Sequence, residues 1–101
     1  MLEIRPNCEC CDKDLASDST EAYICSYECT FCKDCVNNHL HNVCPNCGGG
    51  FSPRPIRPQN EYRNEVSLQN QPPSMKRVHS SYSHSEIEEF VATVDAKPED
   101  R

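Results

Sequence analysis

The sequence predicts a small metal-stabilised α+β module with a short β-hairpin and one helix, followed by a largely disordered C-terminal arm. Three observations predict it. Nine cysteines fall within the first 47 of 101 residues, eight of them in four close pairs. Hydrophobic residues make up 36% of the chain and none is Trp, so a foldable stretch of about 55 residues has little else to hold it. Beyond Cys47 the chain turns polar. The division drawn from composition is a cysteine-rich module over residues 1–58 and a polar arm over 59–101, joined through Pro53-Arg54-Pro55-Ile56-Arg57-Pro58.

The hairpin is predicted from Ala22-Tyr23-Ile24-Cys25-Ser26-Tyr27, where β-branched and aromatic residues favour a strand. The helix is predicted over Lys33 to Leu40, because Val36 and Leu40 then lie one turn apart on a face near Cys32 and Cys35. Gly48-Gly49-Gly50 reads as a turn. Phe31, Leu40, Val43 and Phe51 are expected inside so small a core. In the arm, a short helix is expected over 85–94, with a capping box from Ser85 to Glu88. Its stripe of Ile87, Phe90, Val91 and Val94 is expected to dock on the module or fray rather than bind a partner.

Charge and compartment narrow the function classes. Each of the two parts carries eight acids and five bases, giving a net charge of -6. Eight thiolates around two divalent ions would make the module more anionic still, which disfavours binding to a phosphate backbone. Arg54 and Arg57 form only a thin basic strip. The N-terminus has no apolar run of signal-peptide length, and an odd cysteine count argues against a disulfide framework, so the expected location is cytoplasmic. No run has the length of a membrane span.

The cysteines run Cys8-x2-Cys11, then Cys25-x3-Cys29-x2-Cys32-x2-Cys35, then Cys44-x2-Cys47. A Cys-x2-Cys pair bends the backbone into a knuckle that presents two thiolates to one tetrahedral Zn²⁺, and two pairs close a site. Two Zn²⁺ ions are therefore expected. Redox Cys-x2-Cys motifs accompany a βαβ pattern, which is not found here.

This order of pairs resembles the RING finger, a treble-clef-type cross-brace in which the first and third pairs share one ion and the second and fourth share the other. The resemblance implies Cys8, Cys11, Cys32 and Cys35 at one site and Cys25, Cys29, Cys44 and Cys47 at the second. Cys29 stands where many RING fingers have His. The chain is more closely similar to a family of short bacterial cysteine-rich proteins of unknown function, domain of unknown function twelve seventy-two. The similarity lies in Leu2-Glu3-Ile4-Arg5-Pro6-Asn7-Cys8-Glu9-Cys10-Cys11, in the run from Cys25 to Cys35, and in Cys44-Pro45-Asn46-Cys47-Gly48-Gly49. It covers roughly residues 1 to 58 and implies a bacterial source and a zinc module, with no mechanism.

Cys10 is left outside both sites, since it and adjacent Cys11 cannot comfortably occupy two vertices of one knuckle. A filler role is expected for it, with a reactive sensor as the rival reading. His39 and His41 are expected as surface or helix-end residues. Four cysteines per ion leave no open coordination position, so the metal is expected to be structural, the protein a binding or adaptor module with a protein partner, and no residue catalytic. Redox or metal sensing through thiolates is the alternative. A ubiquitin-ligase-like role is disfavoured by Glu9 and Cys10 between the first ligands, by a Val36 to Val43 loop without an aromatic, and by Gly48 after the last cysteine.

Overall fold

A computed structural model describes residues Met1–Arg101. Strand β1 (Ala22–Ile24) pairs antiparallel with β2 (Thr30–Cys32), setting Ala22 opposite Cys32, Tyr23 opposite Phe31 and Ile24 opposite Thr30. The strand ends at Ile24 rather than Tyr27 because Cys25 opens the hairpin turn. The Glu28 N–H donates to the Cys25 carbonyl at 3.0 Å, and Glu28 takes φ 65° to close the loop. A third strand, β3 (Ser52–Pro53), adds antiparallel to the other edge of β1 and gives the order β2-β1-β3. Two residues ending on Pro carry too little pattern for this strand to be foreseen, and Pro is tolerated there because the strand lies at an edge.

Helix α1 (Lys33–Asn38) follows β2 directly, with Cys32 as its N-cap residue. It stops two residues short of Leu40 because His41 and Asn42 take φ 48° and 61°, folding the chain back so that the Asn42 N–H reaches the Val36 carbonyl at 3.0 Å. Phe31, Leu40 and Val43 are buried as expected, and the half-buried Phe51 meets Phe31 edge-on with ring centroids 5.3 Å apart. Seven cysteines are buried among these side chains, so sulfur supplies a large share of the interior.

The arm departs from the disordered state expected of it. Residues beyond Pro58 fold back along the module, held mainly by polar groups. Asn7, fully buried, donates its side-chain amide to the Val78 carbonyl at 2.9 Å and accepts from the Val78 N–H at 3.2 Å. The Ser74 N–H donates to the Ile4 carbonyl at 2.9 Å and the Ser80 N–H to the Glu9 carbonyl at 2.8 Å. Arg77 bridges Asp12 and Asp14 at 2.9 and 2.6 Å. Composition gives no warning of this, because backbone groups and single polar side chains do the holding.

Helix α2 (His84–Thr93) also begins earlier than expected. Ser83-x-x-Glu86 and Ser85-x-x-Glu88 both fit a capping box, and the first one forms, with Glu86 N–H to Ser83 Oγ at 3.2 Å and Ser83 N–H to Glu86 Oε1 at 3.0 Å. Of the apolar stripe, Ile87 is buried, Val91 and Val94 are half-buried and Phe90 remains 38% exposed.

The arginines of the Pro/Arg strip face inward. Arg54, 4% exposed, donates to the carbonyls of Arg5 and Ala16 at 2.8 and 3.0 Å, and burial lowers its pKa. Arg57 donates to the Gln71 and Leu2 carbonyls at 2.6 and 2.7 Å. These guanidiniums tie loops together instead of presenting a basic face. Lysine cannot span two carbonyls with a rigid fork, so Arg54→Lys should lower stability by about 1–3 kcal/mol in denaturant titrations. An unchanged midpoint would show that these bonds hold nothing.

Candidate metal centre

Two groups of sulfur converge, and both draw on distant parts of the chain. Cys8, Cys11, Cys32 and Cys35 place their Sγ atoms within 4.8 Å of one another, and Cys25, Cys44 and Cys47 do the same. The first group unites the first and third pairs, and the second unites residues of the second and fourth. The elements dictate this interleaving. The β1–β2 hairpin puts Cys25 at its tip and Cys32 at its base, and α1 then returns Cys35 beside Cys32.

The Cys8–Cys11 and Cys44–Cys47 loops share one backbone geometry. In the first, the Cys8 N–H donates to the Lys13 carbonyl and the Asp12 N–H to the Cys8 carbonyl, both at 2.9 Å. In the second, the Cys44 N–H donates to the Gly49 carbonyl at 2.8 Å and the Gly48 N–H to the Cys44 carbonyl at 2.7 Å. The residue after the second cysteine is left-handed in both, Asp12 at φ 63° and Gly48 at φ 80°. Amides are turned toward sulfur in the same way: those of Cys10 and Cys11 toward Cys8, those of Asn46 and Cys47 toward Cys44, that of Lys13 toward Cys11, and that of Gly49 to Cys47 at 3.4 Å. Amides so directed favour the thiolate, which is the form that binds metal.

The thiol electrostatics show what the groups lack without a cation. Burial pushes Cys8 up to about 11 against the opposing pull of its amides. Burial also raises Cys35 and Cys44, and neighbouring thiols add to the effect. Burial also acts on the exposed Cys11, but the Lys13 amide and the thiols of Cys8, Cys32 and Cys35 outweigh it and lower its pKa. Four thiolates cannot share so small a volume unless a positive ion joins them. The Cys11 and Cys32 sulfurs are 3.8 Å apart, and a tetrahedron with metal–sulfur bonds of about 2.3 Å has edges of about 3.8 Å. The donor set and its spacing therefore fit a tetrahedral metal ion.

Cys29 does not join the three other sulfurs within that mutual distance. It is buried beside Cys25, and burial raises its pKa against the opposing pull of the Asn46 side-chain amide. Cys10 lies outside both groups, buried next to Cys35 with its pKa also raised by burial. His39 stacks edge-on against His84 at 6.2 Å, and neither His39 nor His41 belongs to a sulfur group.

Glu9 is the site residue that spacing did not reveal. Its carboxylate is buried between the groups, accepting from the Thr30 N–H at 2.7 Å, from Arg5 Nη1 at 2.9 Å and from Asn46 Nδ2 at 3.3 Å. It thereby links the first knuckle, the β2 strand and the second knuckle. The only hint in the sequence is its position between two ligands, where a charged residue usually faces water.

Residues 1–57 match a sequence family described as Protein of unknown function (DUF1272). An uncharacterized protein of Rhizobium meliloti (strain 1021) is 59% identical over 58 residues, covering 57% of this chain and 69% of that protein. No solved structure matches. All nine cysteines lie inside the matched region, and α2 lies outside it.

Thiols with raised pKa values hold their protons at neutral pH, so an entering ion must displace them, and affinity must fall as pH drops. Calorimetric Zn²⁺ titration at pH 7 in buffers of different ionisation enthalpy should return about three to four protons released per ion. Binding without proton release would mean that the thiolates are already formed.

Proposed function

Because the chain belongs to the DUF1272 family, whose function is unassigned, we propose its role from the site alone: a structural zinc-binding module that acts as a small protein-interaction or adaptor unit. The observation that carries the reading is the set of Cys8, Cys11, Cys32 and Cys35, all buried but Cys11, four converging sulfurs that by themselves complete the coordination of a tetrahedral ion and leave no open position for water or substrate. A metal enclosed in this way supplies folding free energy, on the order of 10 kcal/mol or more, and not chemistry. The protein is read as a non-enzyme on that basis, and no residue is assigned a catalytic role.

Two Zn²⁺ ions are proposed. The second is held by Cys25, Cys44 and Cys47, with Cys29, buried beside Cys25, as the fourth ligand. The interleaved order of the pairs supports a RING-like cross-brace. A cytoplasmic location is proposed because nine unpaired cysteines suit a reducing compartment, and no helix is long and apolar enough to cross a membrane. With Arg54 and Arg57 directed at carbonyls, nothing basic remains on that strip to favour nucleic acid. Sensing of oxidants or metals by thiolate is the second reading, supported by Cys10 next to Cys35.

Native mass spectrometry tests the assignment. The unmodified chain and Cys10→Ser should each carry two zinc ions, and Cys29→Ser should hold its second ion more weakly. A single bound ion in the unmodified chain would sink the two-site reading, and a red protein that bleaches on reduction would replace zinc with iron.

A further inference from the structure

The C-terminal helix rests on the second knuckle and, along one edge, on the end of α1. The Phe90 ring lies over Gly48, with a Cβ placed there only 3.7 Å from the ring. Pro45 and Asn46 line the cleft beneath Ile87 and Phe90. Past the helix, Arg101 donates to the Asn42 carbonyl at 2.7 Å and Pro98 packs on Gly50. Glu88 shares a second cleft with His39 and His41 at the end of α1.

Three features make this contact separable. Ten residues are too few for a helix to be stable alone in water, and Ile87 is the one residue of α2 that is buried. The preceding strap is anchored independently through Arg57, Asn7 with Val78, Arg77 with Asp12 and Asp14, and the Ser80 amide on Glu9. Ser81, Tyr82 and Ser83, all exposed, connect that last anchor to the helix. The covered surface belongs to the family's matched region, and the covering helix does not.

We infer that α2 is a tethered occupant of a helix-binding groove on the second knuckle, and that a protein partner presenting a short acidic amphipathic helix takes the same groove in trans. The groove's own occupant defines the partner's chemistry: apolar residues at i, i+3 and i+4, as in Ile87, Phe90 and Val91, with acidic residues beside them, as in Glu86, Glu88 and Glu89. Of these, Glu88 shares a cleft with His39 and His41. Tethering gives the internal helix a high effective concentration, so only a strong competitor or a weakened α2 opens the groove. The inference rests on the interaction-module reading and names the surface and partner class for it.

The probe is a fluorescein-labelled peptide of residues 80–96, titrated by anisotropy into the zinc-loaded full-length chain and its Ile87→Asp/Phe90→Asp variant. The variant should bind about tenfold or more tighter than the unmodified chain, and a peptide carrying the same two substitutions should not bind. A variant that keeps the metal content of the unmodified chain yet ignores the peptide overturns the inference and leaves the metal reading intact. Equal affinity in the two chains overturns it too, as does a concentration-dependent dimer that exchanges α2 between copies. Should the variant lose metal, hydrogen exchange on the unmodified chain decides. Amides of α2 exchanging about tenfold or more faster than those of α1, with Val78 still protected, support separable docking, and equal protection refutes it.

Discussion

The convergence of sulfur on two points is the constraint from which the rest of the structure follows. Cys8 and Cys11 are tied to Cys32 and Cys35, while Cys25 is tied to Cys44 and Cys47. Because the pairs interleave, the β1–β2 hairpin carries a cysteine of each group, Cys25 at its tip and Cys32 at its base. The sheet strands are only two or three residues long and α1 has six, lengths that would not persist unaided. These elements are held by what joins their ends.

Polar interactions then fix the sulfur groups relative to each other. The Glu9 carboxylate spans from the first knuckle to the Thr30 amide and to Asn46 in the second, with Arg5 supplying the opposite charge. A buried carboxylate is costly unless its lone pairs are satisfied, and here three donors reach it. The equivalent left-handed positions, Asp12 and Gly48, show how one local geometry is met in two ways. Gly48 adopts it without a Cβ, and Asp12 does so with a side chain engaged by Asn7 and Arg77.

The sequence made the metal chemistry readable because ligand spacing is a local property. The Cys8–Cys11 and Cys44–Cys47 pairs each form a knuckle from local sequence, and the hairpin and helix follow from β-branched and apolar periodicity between them. Phe31, Leu40 and Val43 were likewise legible as interior residues. The arm was not, since what holds it is a set of long-range polar contacts such as Asn7 to Val78, 71 residues apart, with no periodic signature. Two overlapping capping boxes shifted the start of α2, and strand β3 ends on a proline that argues against a strand unless the edge is known. Cys29 has an interval from Cys25 that suits a ligand, and its sulfur lies outside the mutual distance that joins Cys25, Cys44 and Cys47.

If bound metal is what holds these short elements in place, then removing it must remove the fold. Stepwise chelation of the zinc-loaded chain, followed by released metal and far-ultraviolet circular dichroism in the same sample, tests this most directly. The account predicts that β1–β2 and α1 signals disappear in step with the metal and return when it is restored. Secondary structure that persists after all bound metal has been withdrawn would contradict it.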